Sequence, residues 1–124
     1  MIAGTGLDLV EVARIEKAAR IDRFYTKNFT QNELDLFADK KYNAQTVAGN
    51  FAAKEAILKA LGCGIFDVAL IEVEILRKET GAPYAVLHGK ARETADAQGI
   101  SAVHVSITHI AQFAAAQAVT ETNE

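Results

Sequence analysis

A glutamate and a lysine on one predicted helix are the first residues whose spacing suggests chemistry. Residues 49–62 are rich in strong helix formers and end at Gly62, and a glycine suits the left-handed turn that closes a helix. Glu55 and Lys59 stand four positions apart and therefore project side by side. This spacing alone is typical of a weak surface ion pair. A carboxylate that holds a cation beside a lysine that meets a phosphate would have the same spacing.

Asp8 and a histidine-containing strand could complete such a site. Asp8 interrupts an apolar strand predicted over residues 2–10, where a carboxylate is costly unless it caps a helix, pairs with an arginine or binds metal. Oxygen donors on two elements suit Mg²⁺, which keeps several waters and takes one or two carboxylates. His104 and Ser106 share the polar face of a second strand that ends at His109. His104 could hold a phosphate, relay a proton, or be a hydrogen-bonded structural histidine.

A run of basic residues follows the first predicted strand. It contains five basic side chains against two acidic ones: Arg14, Lys17, Arg20, Arg23 and Lys27 against Glu16 and Asp22. The first four recur every third residue, so they wind slowly round one side of a helix. The run is either a solvated face or a docking surface for an acidic protein partner. The net charge of −3 argues against general nucleic-acid binding.

The predicted elements form an α+β pattern in one domain over residues 1–124. Helices dominate the first half, strands the second, and a small antiparallel sheet with helices packed on one side is expected. The expected strands cover 2–10, 70–77, 84–87, 103–109 and 113–120, and the helices cover 11–19, a helix opened by the capping box Thr30–Glu33, 47–61 capped by Thr46, and 90–98. Residues 24–29 are expected to be a loose connection and 122–124 a frayed tail. Open sheet edges favour self-association.

Composition limits the compartment and the class of site. No apolar run reaches the length of a membrane span, and residues 1–4 do not open a secretory signal, so a cytoplasmic protein is expected. Cys63 is the single cysteine, which fits a reducing compartment and a role as a small filler. The sequence contains no Walker loop, nucleophile elbow or cysteine metal cluster. Phosphate chemistry at a cation is therefore the leading hypothesis.

Three motifs, in order, resemble those of one enzyme family. They are Gly6–Val12 with Arg14–Ile15 beyond, Phe51–Ala56 followed by Lys59–Gly62, and His104–His109 followed by Ala114–Ala116. Together they resemble the motifs of the holo-acyl-carrier-protein synthases, the short class of phosphopantetheinyl transferases. Order, spacing and total length all agree, so the resemblance covers essentially the whole chain.

The resemblance implies a reaction and a set of site residues. The 4′-phosphopantetheine of coenzyme A would pass to a serine of apo acyl carrier protein, releasing adenosine 3′,5′-bisphosphate, in fatty acid biosynthesis. By motif position, Asp8, Glu55 and Lys59 would be catalytic, with Asp8 and Glu55 as Mg²⁺ ligands. Coenzyme A would contact Lys54, Lys59, Gly62, Gly64, His104, Ser106 and His109, and the carrier protein would contact Arg14, Arg20 and Arg23. The family is homotrimeric with active sites between subunits, and neither nucleic acid nor membrane is an expected partner.

Two departures from the family pattern and two other functions stay open. Asn50 stands where the family commonly has a basic residue, so one phosphate or partner contact would be lost or supplied from elsewhere, for instance by Lys40 or Lys41. Ala82 replaces a common lysine before Pro83, at a peripheral turn. The chain could instead be a non-catalytic module that binds an acidic partner, or a Mg²⁺-dependent nucleotide phosphohydrolase. The general base is either a metal-bound water or a carboxylate.

Overall fold

The computed structural model describes residues 1–123 and places one long helix across a three-stranded antiparallel sheet. In chain order the elements are β1 (Ile2–Glu11), α1 (Val12–Ala18), α2 (Phe24–Asn28), α3 (Gln31–Asp39), α4 (Ala44–Leu61), a 3-10 turn (Leu70–Glu72), β2 (Val73–Arg77), β3 (Pro83–Leu87), α5 (Gly89–Ala97), β4 (Ile100–His109) and β5 (Phe113–Thr122). The sheet has the order β1-β5-β4, and β2 and β3 form a separate hairpin. The predicted α+β class, with helices on one side of a small antiparallel sheet, is confirmed.

The central helix α4 lies in backbone contact with β1. A Cβ atom on Gly6 would lie 1.8 Å from the carbonyl oxygen of Ala56, and one on Gly4 would lie 2.1 Å from that of Ala60. Real side chains do not approach so closely, so only glycine allows the strand to lie this near the helix. This contact fixes the position of Asp8, two residues beyond Gly6 on the same face of β1, against α4.

Small side chains fill the layer between α4 and the sheet. The buried cluster there includes Ala52, Ala56 and Ala60 from the helix and Ala116 and Ala118 from β5. A second cluster, built around Phe29 and Phe37, packs α1 and α3 against the first turns of α4. The opposite face of the sheet carries no helix among the described residues and exposes Leu7 and Leu9.

Several element boundaries differ from the sequence expectations. The helix α4 starts at Ala44 because Asn43, rather than Thr46, caps it: the Asn43 side-chain oxygen accepts hydrogen bonds from the amides of Gln45 and Thr46. Residues 24–28 form the short helix α2 instead of a loose connection. The strand expected from residue 70 begins only at Val73, after a 3-10 turn.

Other local expectations are confirmed. The Thr30–Glu33 capping box is present, and Gly62 closes α4 with φ of 74°. At the C-terminus, Thr122 ends β5 rather than fraying, whereas Glu124 lies outside the described residues. Within residues 1–123, none of the helices is both long and apolar enough to cross a membrane.

Candidate functional site

A cavity between β1, α1 and α4 brings two predicted carboxylates together. Its volume is about 340 Å³, and Asp8 and Glu55 line it together with Arg14 and Phe51. Asp8 reaches it from the inner face of β1, and Glu55 from α4 on the side where Gly6 lets the two backbones meet. We call this space the carboxylate cavity. The apolar residues Val10, Ile15, Ala18 and Phe24 also line it, and this mixed lining suits a ligand with a charged end.

Lys59 joins this site from the next turn of α4. Its Nζ atom donates a hydrogen bond of 2.8 Å to the carbonyl oxygen of Leu7 and lies 3.2 Å from Oδ1 of Asp8. The Lys59 side chain is 54% exposed, so the ammonium group remains open to a ligand. Among residues 1–123, Lys59 therefore pairs with Asp8 on β1 and forms no ion pair with Glu55, so the expected surface pair along the helix is not what the structure shows.

Glu55 occupies an environment that disfavours its charge. Burial and the nearby charge of Asp8 raise the pKa of Glu55, and Lys59 opposes that shift only in part. Two carboxylates sharing one cavity repel each other, and a bound cation would relieve the repulsion.

The donor set of this cavity fits a hard cation that keeps most of its water. Two carboxylates on different elements match the one or two that Mg²⁺ usually takes from a protein. Within residues 1–123 there is no group of three or more His, Cys, Asp or Glu side chains placed to hold a metal. A fully protein-ligated metal is therefore not a fit for this site, whereas a hydrated ion held by Asp8 and Glu55 is.

His104 and Ser106 lie on the opposite face of the sheet from the carboxylate cavity. Both side chains are exposed on the outer face of β4, and Nε2 of His104 lies 2.7 Å from Oε1 of Glu121 on β5. The hydrogen bond and charge of His104 hold the pKa of Glu121 below its usual value. Within a single chain, His104 and Ser106 therefore do not lie at the same site as Asp8.

His109 lines a second cavity, of about 200 Å³, together with Lys40 and Arg77. It lies between the end of α3, the first turns of α4, the β2–β3 turn and the end of β4. We call it the basic cavity. It shares no lining residue with the carboxylate cavity.

Lys54 is buried in the core, and this contradicts the expectation that it contacts coenzyme A. Its side chain is wholly inaccessible, and Nζ donates to Oε1 of Glu33 at 2.6 Å and to the carbonyl oxygens of Leu70 and Val73. Three donors thus meet three acceptors. Burial raises the pKa of Glu33 and lowers that of Lys54, and the ion pair opposes both shifts. Lys54 joins α4 to α3 and β2.

The amides of the glycine pair after α4, which the resemblance places in contact with coenzyme A, are bonded within this chain. The amide of Gly62 donates to the carbonyl oxygen of Lys59, and that of Cys63 donates to Leu58. The amide of Gly64 donates to the side chain of Asp67. Gly62 ends α4, and the amides of Gly62, Cys63 and Gly64 are all used within the chain.

The predicted docking arginines are all exposed but do not share one helix. Arg14 projects from α1 and lines the carboxylate cavity. The helix α1 ends at Ala18, so Arg20 lies in the following turn, and Arg23 precedes α2 with φ of 77°. Their regular spacing therefore does not make a continuous helical face, although the three remain on one segment.

Arg77 and its contact with Asn50 were not found by sequence reasoning. Asn50 is fully buried, and its Oδ1 accepts a hydrogen bond of 2.6 Å from Nη2 of Arg77. Of Lys40 and Lys41, the two examples of a replacement for the basic residue at position 50, Lys40 lines the same cavity as Arg77. The departure of Asn50 from the family pattern indicated a change at this position. A single sequence does not show which distant residue lies beside Asn50.

Comparisons with known proteins agree over nearly the whole chain. The family model described as the 4′-phosphopantetheinyl transferase superfamily matches residues 4–118. The holo-[acyl-carrier-protein] synthase of Alkaliphilus oremlandii is 42% identical over 120 residues, covering 96% of this chain and 98% of that protein. The corresponding synthase of Clostridium perfringens strain SM101 is 40% identical over 126 residues, covering 98% and 95%.

Solved structures show the same architecture. The holo-[acyl-carrier-protein] synthase of Neisseria meningitidis matches with a TM-score of 0.89 at 30% identity, covering 98% of this chain and all of that one. The Helicobacter pylori synthase, solved in complex with coenzyme A, matches with a TM-score of 0.81 at 34% identity, covering 94% and 99%. The Bacillus anthracis synthase, in complex with CoA (3′,5′-ADP), matches with a TM-score of 0.80 at 35% identity, covering 99% of each.

Proposed function

This chain belongs to the 4′-phosphopantetheinyl transferase superfamily, and we propose that it transfers the 4′-phosphopantetheine of coenzyme A to a serine of apo acyl carrier protein, for fatty acid biosynthesis. The observation that carries the proposal is that Asp8 and Glu55 line one cavity, while the exposed Lys59 lies 3.2 Å from Asp8. Relatives that are named as holo-[acyl-carrier-protein] synthases, over nearly the same length, support the same substrates.

The reaction is an in-line displacement at phosphorus. The serine oxygen forms a bond to the phosphorus that carries pantetheine, and the bridging bond of the diphosphate breaks. The electron pair of that bond leaves with adenosine 3′,5′-bisphosphate, and the serine proton is lost to a base. Negative charge therefore grows on the leaving phosphate, and the site must stabilise it.

Asp8, Glu55 and Lys59 have the chemistry that this displacement needs. Asp8 and Glu55 would hold Mg²⁺, which when bound neutralises charge on the diphosphate oxygens. The Lys59 ammonium, fixed by Asp8 and by the carbonyl oxygen of Leu7, places a second positive charge at the same edge of the cavity. We assign it to the leaving phosphate, because it is exposed to a ligand while its position is set by two protein acceptors.

We also propose that the chain acts as a homotrimer with active sites between subunits. The outer face of the sheet supports this, since Leu7 and Leu9 are each 67% exposed there beside a cavity of about 310 Å³. Apolar side chains on an uncovered sheet face favour a protein partner. Association through this face would also bring His104 and Ser106 of one chain to the substrate site of its neighbour, which a single chain does not do.

The carrier protein is proposed to dock on the segment from Arg14 to Arg23. Arg14 lines the carboxylate cavity, so a carrier held there would place its serine near Asp8 and Glu55. Carrier domains of acidic charge would be steered by these arginines. The use of coenzyme A, together with the lone Cys63, supports a reducing compartment, and we propose the cytoplasm.

Intact-mass spectrometry of an apo carrier protein tests the function. Incubation with this chain, coenzyme A and Mg²⁺ should add the mass of one phosphopantetheine, and Glu55→Gln should reduce the rate by about 10²-fold or more. A carrier that keeps its apo mass would refute the transferase. Omitting the carrier separates the alternatives, because a phosphohydrolase would still release adenosine bisphosphate from coenzyme A, whereas a transferase would not.

A further inference from the structure

A further cavity lies on the other flank of α1 from the carboxylate cavity, and the chemistry proposed for the two carboxylates does not use it. Its volume is about 180 Å³, and Tyr25 and Tyr42 form part of its wall. We call it the tyrosine cavity. Residues from α1, from the turn after α1 and from the start of α4 complete the lining. The cavity is smaller than most small-molecule sites but large enough for one side chain, since about 150 Å³ is enough to hold benzene.

The tyrosine cavity adjoins the carboxylate cavity. Ile15 lines both of them. Phe24 lines the carboxylate cavity, and its neighbour on α2, Tyr25, lines the tyrosine cavity, with the two ring centroids 5.3 Å apart. Arg14 lines the first cavity and Arg20 the second. A partner seated on the segment from Arg14 to Arg23 would therefore cover both cavities at once.

Tyr42 forms its part of the wall from a left-handed backbone conformation. Its φ is 51°, and bulky side chains rarely adopt this region. Such a conformation persists where the surrounding contacts enforce it. Here the Tyr42 amide donates a hydrogen bond of 2.7 Å to the carbonyl oxygen of Phe37, and the ring packs edge-on against Tyr25 at 5.1 Å. The ring is 43% exposed and already fixed, so a partner that contacts it pays little ordering entropy.

The charges at the tyrosine cavity favour an acidic partner that inserts an apolar group. The exposed Arg20 lines the cavity, and the exposed Lys41 precedes Tyr42. Both would attract acidic groups at the rim. Glu16 also lines the cavity and would repel a carboxylate inside it. The side chain that enters should therefore be apolar, with acidic neighbours outside.

We propose that the tyrosine cavity receives an apolar side chain of the carrier protein, while an acidic neighbour of that side chain meets Arg20. This inference rests on the proposed docking of the carrier at Arg14–Arg23. Because the fit depends on the size of the inserted side chain, Tyr42 helps to determine which carriers are accepted. The other possible occupant, a second copy of this chain, is distinguished by the oligomeric state.

Two variants that change the cavity in opposite ways test the proposal. Tyr42→Asn removes one wall, and asparagine tolerates the left-handed backbone, whereas Ala19→Phe fills the cavity from the end of α1. Each should raise the Michaelis constant for the carrier about fivefold or more, because tyrosine contacts often dominate protein interfaces. The constant for coenzyme A should change by less than about twofold. Equal changes in both constants, or no change in either, would overturn the proposal.

A control variant and the salt dependence sharpen this result. Tyr84→Asn, on β3 and outside both cavities, should leave the constant for the carrier unchanged. The loss caused by Tyr42→Asn should persist at high salt because the contact is apolar, whereas an electrostatic contact weakens as salt is added. A Tyr42→Asn effect that disappears at high salt would refute an apolar occupant.

Direct binding separates this inference from the proposed function. Calorimetry with the same apo acyl carrier protein, without coenzyme A, requires no turnover. Weaker binding by both variants would support the tyrosine cavity even if the carrier were never modified. Unchanged binding together with normal transfer would leave the function standing and refute the cavity.

Light scattering identifies the alternative occupant. Both variants should keep the wild-type mass, and a lower mass would assign the tyrosine cavity to a contact between copies of this chain and overturn the proposal. If Tyr42→Asn lowers the melting temperature strongly, Ala19→Phe decides, because it leaves the loop at Tyr42 unaltered.

Discussion

Two lysines five positions apart on α4 show how differently one residue type can be used. Lys54 is wholly buried and has all three donors satisfied by Glu33, Leu70 and Val73. Lys59 is exposed and points to Asp8 at the edge of the carboxylate cavity. The first belongs to the stability of the fold and the second to the proposed reaction.

The variants Lys54→Met and Lys59→Met should therefore fail in different ways. Removing one partner of a buried ion pair leaves Glu33 uncompensated and should cost about 3–5 kcal/mol of unfolding free energy. Lys59→Met should leave the melting temperature nearly unchanged, because an exposed pair contributes little, but should lower kcat about 10²-fold or more. Thermal melts and the carrier modification assay distinguish the two. A Lys54→Met protein with normal stability and a raised Michaelis constant for coenzyme A would return Lys54 to the substrate site.

The sequence motifs allowed the positions of some individual side chains to be predicted. The structure places Asp8 and Glu55 at one cavity and Lys59 beside Asp8, whereas their catalytic and metal-binding roles stay predictions. The prediction for Lys54 was wrong. The helix α4 is buried on several sides, so Lys54 lies in the core together with Ala52 and Ala53. Periodicity alone did not reveal Glu33 as its partner, 21 residues earlier.

At the scale of elements, Glu74 joins three segments that are separate in sequence. It lies on β2 and is 4% exposed. Its carboxylate accepts hydrogen bonds from Thr30 and Asn32 at the start of α3, and it lies 3.2 Å from Nε2 of His88 before α5. Burial alone would raise the pKa of Glu74, but these hydrogen bonds outweigh it and hold the pKa below its usual value.

Glu74→Gln should therefore destabilise the protein in a pH-dependent way. Its folded pKa is depressed, so its stabilisation is complete above the unfolded pKa of about 4.3 and is lost as the pH falls through the folded pKa. Urea denaturation at pH 7 should show a loss of about 2 kcal/mol relative to the wild type, and the difference should shrink below pH of about 4. Glu79→Gln, in the exposed β2–β3 turn, should show no difference at either pH. A pH-independent loss would contradict this account.

Element boundaries were predictable where a capping group acts locally. The Thr30–Glu33 box and the Gly62 stop both depend on residues within one turn of the helix end. The start of α4 was placed too late because Thr46 was taken as the cap, whereas Asn43, three residues earlier, caps the helix. The helix α2 was missed because its five residues have no capping side chain and owe their position to aromatic packing around Phe24 and Phe29.

At the scale of the whole molecule, the uncovered face of the sheet supports the proposed assembly. Leu7→Glu places a charge on this face, pointing away from α4, so the chain should still fold but should not associate. Light scattering after size exclusion should give the mass of one chain, with normal helical circular dichroism and little transfer activity. Phe66→Glu alters an even more exposed apolar residue outside the sheet strands and should leave the assembly unchanged. An unchanged mass for Leu7→Glu would move the interface elsewhere.

Partner recognition is also expected to depend on charge placement across the molecule. Arg14→Glu should raise the Michaelis constant for the carrier protein more than that for coenzyme A, since Arg14 is exposed at the mouth of the carboxylate cavity and is proposed to meet an acidic surface. The carrier effect should weaken as salt is added, because it is electrostatic. Steady-state kinetics with each substrate varied in turn measures this. Equal effects on both constants would count against docking at Arg14.

The backbone contact between Gly6 and Ala56 also has a consequence for protein engineering. It sets how near the Asp8 strand lies to the Glu55 helix, with a margin smaller than one methyl group. A saturation screen scored by growth should therefore class Gly6 with the catalytic residues, although it offers no side chain for chemistry. A designer who wished to open the gap between the two carboxylates for a larger cation would substitute this glycine first and leave both acids untouched.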